Sequence, residues 1–287
     1  MKKPDFLIIG SMKAGTTSLY DDLATHPQIF LPELKEPDAF ISDEILDPAV
    51  QNKYFRLFQD CPSGSITGEA STTYSKLPTL QDVPQRAAKI LGTKLKLIYL
   101  VRDPLERIRS HHAYLYRRGY MGRDINEVLR TDRTPIDYSN YQMQLTAWLS
   151  IFPRDQILVI QFEKYISNRN EQLRAVYDFL GIDDTEISAV PKHVSNKTDD
   201  LVPLPAVFRR IRDTRLYRKI HEMLPGQQRS KLGWLRRRVR GRIPAPPISL
   251  DDSNIALLRE ELRGTTHEFA EEWGIDESLW NMIFTKA

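Results

Sequence analysis

Near its N-terminus the chain carries a short loop whose residue types suit the binding of an anion. Gly10 and Gly15 bracket the loop, and Lys13 lies inside it. Glycine permits tight turns and close approach of backbone to a ligand, and a helix start offers unpaired N–H groups at a positive dipole end. With the lysine ammonium, these features predict a site for a phosphate-like anion. We call residues 10–18 the anion loop, and its candidate ligand-binding residues are Lys13, Ala14, Gly15, Thr16, Thr17 and Ser18.

The anion loop departs at one position from the phosphate loop of ATPases and kinases. In the pattern GxxxxGK(S/T), Gly10, Gly15 and Thr17 fall in place, but Thr16 occupies the lysine position. ATP chemistry needs a lysine that reaches the terminal phosphates and a metal that bridges them. The sequence therefore favours a simpler anion. A P-loop nucleotide kinase or NTPase is one alternative, and a plain strand-to-helix turn is another.

A second candidate anion site follows a largely apolar run at residues 95–101. Arg102 ends this run, and Ser110 lies eight residues later. A helix that starts at Pro104 would place Ser110 about two turns along it. The arginine fork and the serine hydroxyl could then bind one small anion. The alternative is a structural ion pair between Arg102 and a neighbouring carboxylate.

Together, the two sites resemble those of sulfotransferases that use 3′-phosphoadenosine 5′-phosphosulfate (PAPS). The segment GSMKAGTTSLY is similar to the 5′-phosphosulfate loop of the branch that contains the heparan sulfate N- and O-sulfotransferases. An arginine at a strand end with a serine about eight residues on is similar to the family's 3′-phosphate motif. The resemblance implies that Lys13 is catalytic and binds the donor, and that Arg102 and Ser110 bind the 3′-phosphate.

The same resemblance implies a general base. Residues 34–40 read LKEPDAF, which is similar to the KEPxxF pattern of this branch, in which the glutamate takes a proton from the acceptor. Glu36 follows a short predicted strand, where α/β folds often place reactive groups. We therefore expect Glu36 to be catalytic and to contact the acceptor. A solvated glutamate beside Lys35 is the alternative, and His111 or His112 is a weaker candidate base.

Three further residues are assigned to the acceptor by the resemblance. Segment 68–74 is similar to the family's GExSxxY stretch along the donor and acceptor cleft, and Tyr141 begins a YxxxLxxW pattern similar to a helix beside the acceptor channel. We expect Ser71, Tyr74 and Tyr141 to contact the acceptor. A plain turn and a core-facing helix would show the same residue types.

An Asn-Lys pair later in the chain is assigned to the nucleotide in the same way. In the relatives, a loop of this character folds over the nucleotide near its 3′-phosphate. The resemblance therefore implies that Asn196 and Lys197 bind the donor. An ordinary solvated loop is the alternative.

The elements that must position these residues indicate an α/β fold. The 287 residues are 41% hydrophobic and 28% charged, which allows a sizeable core. The apolar runs at 6–9 and 95–101 are typical of parallel strands covered on both faces. The resemblance implies a central parallel sheet flanked by helices, of the P-loop-like sulfotransferase kind. We expect a single domain, with a nucleotide-binding core at 1–200 and a helical C-terminal extension at 201–287.

Apolar periodicity and capping residues predict the remaining elements. The predicted helices cover 17–25, 48–58, 138–152, 168–181 and 249–273, and two short strands are predicted at 29–31 and 157–162.

Positive charge is dense at residues 209–242, although the net charge of the whole chain is only +3. Apolar residues recur there at roughly helical spacing, so a helix with a solvated basic face is expected. A nucleic-acid-binding protein built on this region is the alternative, and peripheral membrane contact is possible. We expect no nucleic acid partner, because such a protein would leave both anion sites unexplained.

Cysteine content and the absence of long apolar runs bear on compartment. Cys61 is the single cysteine and excludes an intramolecular disulfide, and no apolar run reaches the roughly 18 residues of a membrane span. With no apparent leader segment, we expect a cytoplasmic protein. No metal-ligand cluster is apparent, so the predicted reaction is metal-independent sulfuryl transfer from PAPS to a small-molecule, glycan or lipid acceptor.

Overall fold

The structure is a computed structural model that describes residues 2–118, 120–182 and 249–280. Five of the described segments form one parallel sheet. The strands are β1 (Phe6–Gly10), β2 (Ile29–Phe30), β3 (Ile66–Ala70), β4 (Lys96–Val101) and β5 (Ile157–Gln161). Their spatial order is β2-β3-β1-β4-β5. The expected central parallel sheet is therefore confirmed.

Helices of the described ranges flank this sheet, and short 3₁₀ turns connect several of them. The helices are α1 (Thr16–Leu23), α2 (Pro48–Phe55), α3 (Val83–Leu91), α4 (Pro104–Arg118), α5 (Ile125–Thr131), α6 (Thr134–Asp137), α7 (Tyr141–Leu149), α8 (Phe162–Ser167), α9 (Arg169–Leu180) and α10 (Asp252–Trp273).

Both faces of the sheet are covered, which explains the uninterrupted apolar run of β1. Side chains alternate between the two faces along a strand. Leu7 and Ile9 pack in a cluster with Trp148 of α7, whereas Phe6 and Ile8 pack in a second cluster with side chains of α1 and α9. This two-sided core holds in place the strand ends from which the candidate site residues extend.

Local capping explains where two of the helices begin and end. The Asp103 carboxylate accepts hydrogen bonds from the backbone N–H groups of Leu105, at 2.8 Å, and Glu106, at 3.1 Å. These bonds satisfy first-turn donors, so α4 starts at Pro104 as predicted. At the end of α9, Gly181 adopts a left-handed conformation with φ 78°, the usual stop signal for a helix.

The helices predicted over 17–25, 48–58, 138–152, 168–181 and 249–273 correspond to α1, α2, α7, α9 and α10. Their observed ends differ from the predicted ones by up to three residues. At the end of α2, a 3₁₀ turn at Arg56–Phe58 occupies the last three predicted positions. The short predicted strands correspond to β2 and β5.

Strand β3 has no counterpart among the predicted elements, because its sequence ITGEA lacks an apolar run. Gly68 lies against the Phe6 ring, where an added Cβ would come within 2.4 Å of a ring carbon. Glu69 is fully buried. Both residues weaken the sequence pattern of a strand. Gly68 leaves room for the Phe6 ring, and Glu69 accepts hydrogen bonds from Ser71 and Tyr74.

Several predicted features lie outside the described residues. They are the Asn196-Lys197 pair and the basic region 209–242. Within the described ranges, no helix combines the length and the apolar character that crossing a membrane requires.

Candidate functional site

The predicted site residues meet at one edge of the sheet. Parallel strands carry their carboxyl ends to the same edge. The anion loop follows β1, Glu36 follows β2, Ser71 follows β3, and Arg102 follows β4. These four strands are neighbours in the sheet, so four separate segments contribute to one site.

The anion loop requires its two glycines. Gly10 has φ 149°, and an added Cβ would lie 2.0 Å from the Ser75 hydroxyl oxygen. Gly15 has φ 93°, and an added Cβ would lie 2.6 Å from a ring carbon of Phe162. A side chain at either position would clash and would also strain the backbone. The glycines therefore serve close packing as well as the turn.

Lys13 lies at the tip of the anion loop in a left-handed conformation, with φ 74°. Its ammonium nitrogen is 4.8 Å from the centre of the Tyr114 ring. Burial is the main cause that lowers the pKa of Lys13 to about 8, the charges of Arg102 and Arg118 contribute to this lowering, and Glu36 acts in the opposite direction. A bound anion would favour the charged ammonium. Lys13 is thus suited to an anionic ligand.

Arg102 lies against the anion loop, and its proposed contact with a 3′-phosphate stays a prediction. Its Nη1 donates to the Lys13 carbonyl oxygen at 3.3 Å, and its guanidinium carbon is 5.0 Å from the centre of the Phe162 ring. A carboxylate oxygen of Glu106 lies 3.7 Å from Nη2, so the ion-pair alternative is also present, at long range. Ser110 is half-buried in α4, eight residues after Arg102.

Arg107, one helical turn beyond the start of α4, supports the same loop from beneath. Its side chain is fully buried. It donates to the Ser139 hydroxyl at 2.6 Å, to the Pro135 carbonyl at 2.7 Å and to the Met12 carbonyl at 3.4 Å. Arg102 and Arg107 therefore both contact carbonyl oxygens of the anion loop.

Glu36 is connected to the anion loop by its neighbour Lys35. One carboxylate oxygen accepts a hydrogen bond from the Thr72 hydroxyl at 3.1 Å and lies 3.4 Å from the Lys35 ammonium. Lys35 also donates to the Thr17 hydroxyl at 3.0 Å. The Glu36 side chain is 43% exposed, so an acceptor can reach it. The pair with Lys35 that the alternative reading expected is present, but it links Glu36 to the anion loop.

Three of the residues predicted to contact the acceptor are buried, and the structure shows other contacts for their hydroxyl groups, so their contact with the acceptor stays a prediction. Ser71 is 0% exposed, Tyr74 3% and Tyr141 2%. The first two hydroxyls bond to the Glu69 carboxylate and accept from backbone amides of the loop at 38–39. They hold this loop in place and do not face an open surface.

Tyr141 supports the other anion site in a similar way. Its hydroxyl donates to the Arg102 carbonyl oxygen at 2.6 Å and accepts from the Arg102 backbone N–H at 3.2 Å. A single phenol therefore holds both backbone groups of Arg102. The interpretation of this helix as core is correct for its inner face, and Tyr141 acts from that face on the site.

The two histidines considered as alternative bases are both buried. Burial and the charge of Arg107 lower the pKa of His111 to about 2, so its imidazole does not retain an abstracted proton near neutral pH. His112 lies 2.9 Å from the Gly122 carbonyl oxygen. These contacts favour Glu36 as the base.

Two residues near Glu36 and Lys13 were absent from the sequence interpretation. Lys76 is partly buried, and burial lowers its pKa, while the charges of Asp38 and Glu36 raise it. The centre of the Tyr114 ring lies 4.8 Å from the Lys13 ammonium nitrogen and 4.5 Å from the Arg118 guanidinium carbon. Helical spacing from Ser110 would have indicated Tyr114, because residues four apart share a helix face. For Lys76 the sequence carries no signal.

Comparison with known proteins gives one consistent result. A family model described as "Sulfotransferase domain" matches residues 3–199. Carbohydrate sulfotransferase 15 of Mus musculus is 25% identical over 245 aligned positions, which cover 62% of this chain and 44% of the relative. Heparan sulfate glucosamine 3-O-sulfotransferase 3B1 of Mus musculus is 27% identical over 195 positions, with coverages of 62% and 46%. The chain thus matches less than half the length of these curated relatives.

A solved structure is also similar. A sulfotransferase from Alicyclobacillus acidocaldarius has a TM-score of 0.56 and 27% identity, over 67% of this chain and 88% of that one.

Among the described residues, no group of three or more His, Cys, Asp or Glu side chains is placed to hold a metal ion.

Proposed function

Because the chain belongs to the sulfotransferase-domain family, we propose that it transfers the sulfuryl group of PAPS to a hydroxyl or amine of an acceptor. The observation that carries this proposal is the contact between its two anion sites. Arg102 donates to the carbonyl of Lys13 at 3.3 Å, so the groups proposed for the two ends of one nucleotide adjoin each other.

We propose that the anion loop binds the 5′-phosphosulfate. The amides at the start of α1 and the Lys13 ammonium would donate to its oxygens. Arg102 and Ser110 would bind the 3′-phosphate, and we keep Asn196 and Lys197 as proposed donor-binding residues. Tyr141 and Arg107 hold the backbone of Arg102 and Met12, which supports a site formed before the donor arrives.

In the proposed reaction, the acceptor oxygen or nitrogen attacks sulfur in line with the bridging oxygen. The bond from sulfur to the bridging oxygen breaks, and the leaving group is adenosine 3′,5′-bisphosphate. Lys13 stabilises the negative charge that collects on the bridging oxygen. Glu36 accepts the acceptor's proton, and its exposed carboxylate beside the anion loop supports this role.

This chemistry does not require a metal ion, because the lysine and loop amides neutralise the leaving phosphate. We propose a small-molecule, glycan or lipid acceptor. Glycans come first in any panel because the relatives above are named for carbohydrate and heparan sulfate. A cytoplasmic location also stays a proposal, supported by the single cysteine and tested by cell fractionation.

Incubation with sulfur-labelled PAPS and an acceptor panel, with and without EDTA, tests the function. We expect transfer to at least one acceptor at the same rate with EDTA. We also expect adenosine 3′,5′-bisphosphate to raise the melting temperature far more than AMP or ATP. Equal stabilisation by AMP would remove the 3′-phosphate assignment, and a preference for magnesium ATP would favour the kinase alternative. Tight, sequence-selective DNA binding would favour the nucleic-acid alternative.

A further inference from the structure

Glu69 in β3 is a buried carboxylate that no step of the proposed reaction uses. It is 0% exposed, and burial raises its pKa to about 7. Its oxygens accept hydrogen bonds from the hydroxyls of Tyr74 at 2.6 Å, Ser71 at 2.9 Å and Tyr54 at 3.4 Å. Within the described ranges it forms no salt bridge. A buried carboxylate is costly, so its place beneath the site requires an explanation.

Two of these hydroxyls connect Glu69 to the loop that carries Glu36. The Ser71 oxygen accepts from the backbone N–H of Asp38 at 3.1 Å, and the Tyr74 oxygen accepts from the N–H of Ala39 at 3.1 Å. Glu69 therefore lies one hydroxyl away from two consecutive amides of this loop.

The loop needs this support because its backbone is strained. Glu36 has φ 59° and Asp38 has φ 52°. Residues other than glycine rarely adopt this left-handed backbone conformation. Side chains add to the restraint, since Thr72 donates to the Glu36 carboxylate at 3.1 Å and Thr73 donates to the Asp38 carboxylate. The segment that follows Glu69 thus holds the loop at positions 36, 38 and 39.

The direction of the hydrogen bonds gives Glu69 a specific part. Both hydroxyls donate their single proton to Glu69, so their lone pairs remain directed at the amides of Asp38 and Ala39. A carboxylate accepts on both oxygens, whereas a glutamine side chain accepts on one and donates on the other. If glutamine replaced Glu69, the hydroxyl beside the side-chain NH₂ group would lose its proton acceptor and its fixed orientation.

We propose that Glu69 is a positioning residue for Glu36. Through Ser71 and Tyr74 it orients the 36–39 loop so that the Glu36 carboxylate stays beside the anion loop. The inference rests on the proposed function, in which Glu36 is the base.

Glu69→Gln tests this proposal with almost no change in volume. We expect turnover to fall about tenfold, the effect of one or two lost buried hydrogen bonds, while affinity for adenosine 3′,5′-bisphosphate changes less than twofold. A general loss of folded protein would lower both together. The double variant Glu36→Gln/Glu69→Gln should be no slower than Glu36→Gln, because Glu69 acts through Glu36. The same tenfold fall in both backgrounds would overturn the proposal.

Amide hydrogen exchange supplies a readout that does not depend on activity. In Glu69→Gln, the amides of Asp38 and Ala39 should exchange at least tenfold faster, and those of α1 should not change. Asp22→Asn is a control at a second buried carboxylate, since Asp22 also accepts from a tyrosine hydroxyl, that of Tyr165, and differs from Glu69 by its ion pair with Arg169. It should lower stability without faster exchange at 38–39.

The two proposals fail in different ways. Unchanged exchange at Asp38 and Ala39 in Glu69→Gln overturns the positioning role, whatever the turnover. Normal turnover of Glu36→Gln would show that Glu36 is not the base, and the catalytic part of the inference would then fail. The hydrogen-exchange result would still decide whether Glu69 holds the 36–39 loop.

Discussion

The proposed donor side of the site, formed by the anion loop and Arg102, is built from the ends of strands and helices. The proposed acceptor side, formed by the 36–39 loop, is held by hydrogen bonds from side chains of another segment. On the donor side, glycines adopt most of the left-handed conformations, whereas on the acceptor side Glu36 and Asp38 adopt them without glycine. The anion loop is therefore recognisable in local sequence, although Arg102 and Arg107 also donate to its carbonyl oxygens. The conformation of the 36–39 loop depends on contacts across the fold.

This difference predicts that donor and acceptor functions can be damaged separately. A change on the donor side should weaken nucleotide binding, and a change on the acceptor side should lower turnover of the bound complex. Lys13 is the exception, because it is proposed to contact the donor both before and during the reaction.

Lys13→Ala should have the largest effect. Because Lys13 is proposed to bind the donor and to stabilise the leaving oxygen, we expect kcat/KM for the donor to fall about 10²- to 10³-fold. Both turnover and affinity for adenosine 3′,5′-bisphosphate should fall. Steady-state kinetics and calorimetric titration measure the two quantities. Loss of affinity alone would limit Lys13 to binding.

The pKa of Lys13, lowered by burial to about 8, adds a pH test of the same residue. The charged ammonium is the form proposed to bind, so kcat/KM should fall as the pH rises through about 8, where the free enzyme loses this proton. Lys13→Ala should lack this alkaline limb. Lys96→Gln is the control, because Lys96 donates to the Phe179 carbonyl away from the site and the limb should persist.

Glu36→Gln should show the next largest effect, and only on turnover. The amide preserves shape but cannot accept the acceptor's proton, so turnover should fall about 10²-fold. Affinity for adenosine 3′,5′-bisphosphate should stay nearly unchanged. Exposed Glu44 provides a control, and Glu44→Gln should retain full turnover. Near-normal turnover of Glu36→Gln would place the base elsewhere.

The same contrast explains what the sequence could predict. The strands β1 and β4 are largely apolar runs. The anion loop joins β1 to a helix, so its residues are neighbours in sequence as well as in space. Family resemblance added the 3′ motif. These features depend on local chemistry, and the structure places the Arg102 guanidinium within hydrogen-bond distance of the Lys13 carbonyl oxygen.

The roles of Ser71, Tyr74 and Tyr141 could not be predicted in the same way. Hydroxyl-bearing residues look alike in sequence whether they face a ligand or a buried partner, and burial decides between these roles only after the chain has folded. Glu69 shows the same difficulty, since a glutamate in a strand weakens the strand pattern. Its function becomes visible only with its hydrogen-bond partners.

Arg102→Ala should weaken donor binding by about 1.5 to 3 kcal/mol, the contribution of a hydrogen bond to a charged group. The loss should appear for adenosine 3′,5′-bisphosphate and not for AMP, because AMP lacks the 3′-phosphate. Thermal shift or calorimetric titration with both nucleotides measures it. Equal losses for both would mean that Arg102 acts through the anion loop, whose Lys13 carbonyl it contacts, and not through the 3′-phosphate.

The smallest predicted effects come from a matched pair of tyrosines, one on each side. Tyr141 holds the backbone of Arg102, and Tyr74 holds Ala39 and Glu69. Tyr141→Phe should lower affinity for adenosine 3′,5′-bisphosphate up to about fivefold, because each change removes hydrogen bonds worth about 1 kcal/mol. Tyr74→Phe should lower turnover by a similar factor at unchanged affinity. Both hydroxyls are buried and both substitutions are the same, so losses of stability should be alike and the comparison isolates function. Equal falls in affinity and turnover for both variants would show that the two sides are one coupled unit.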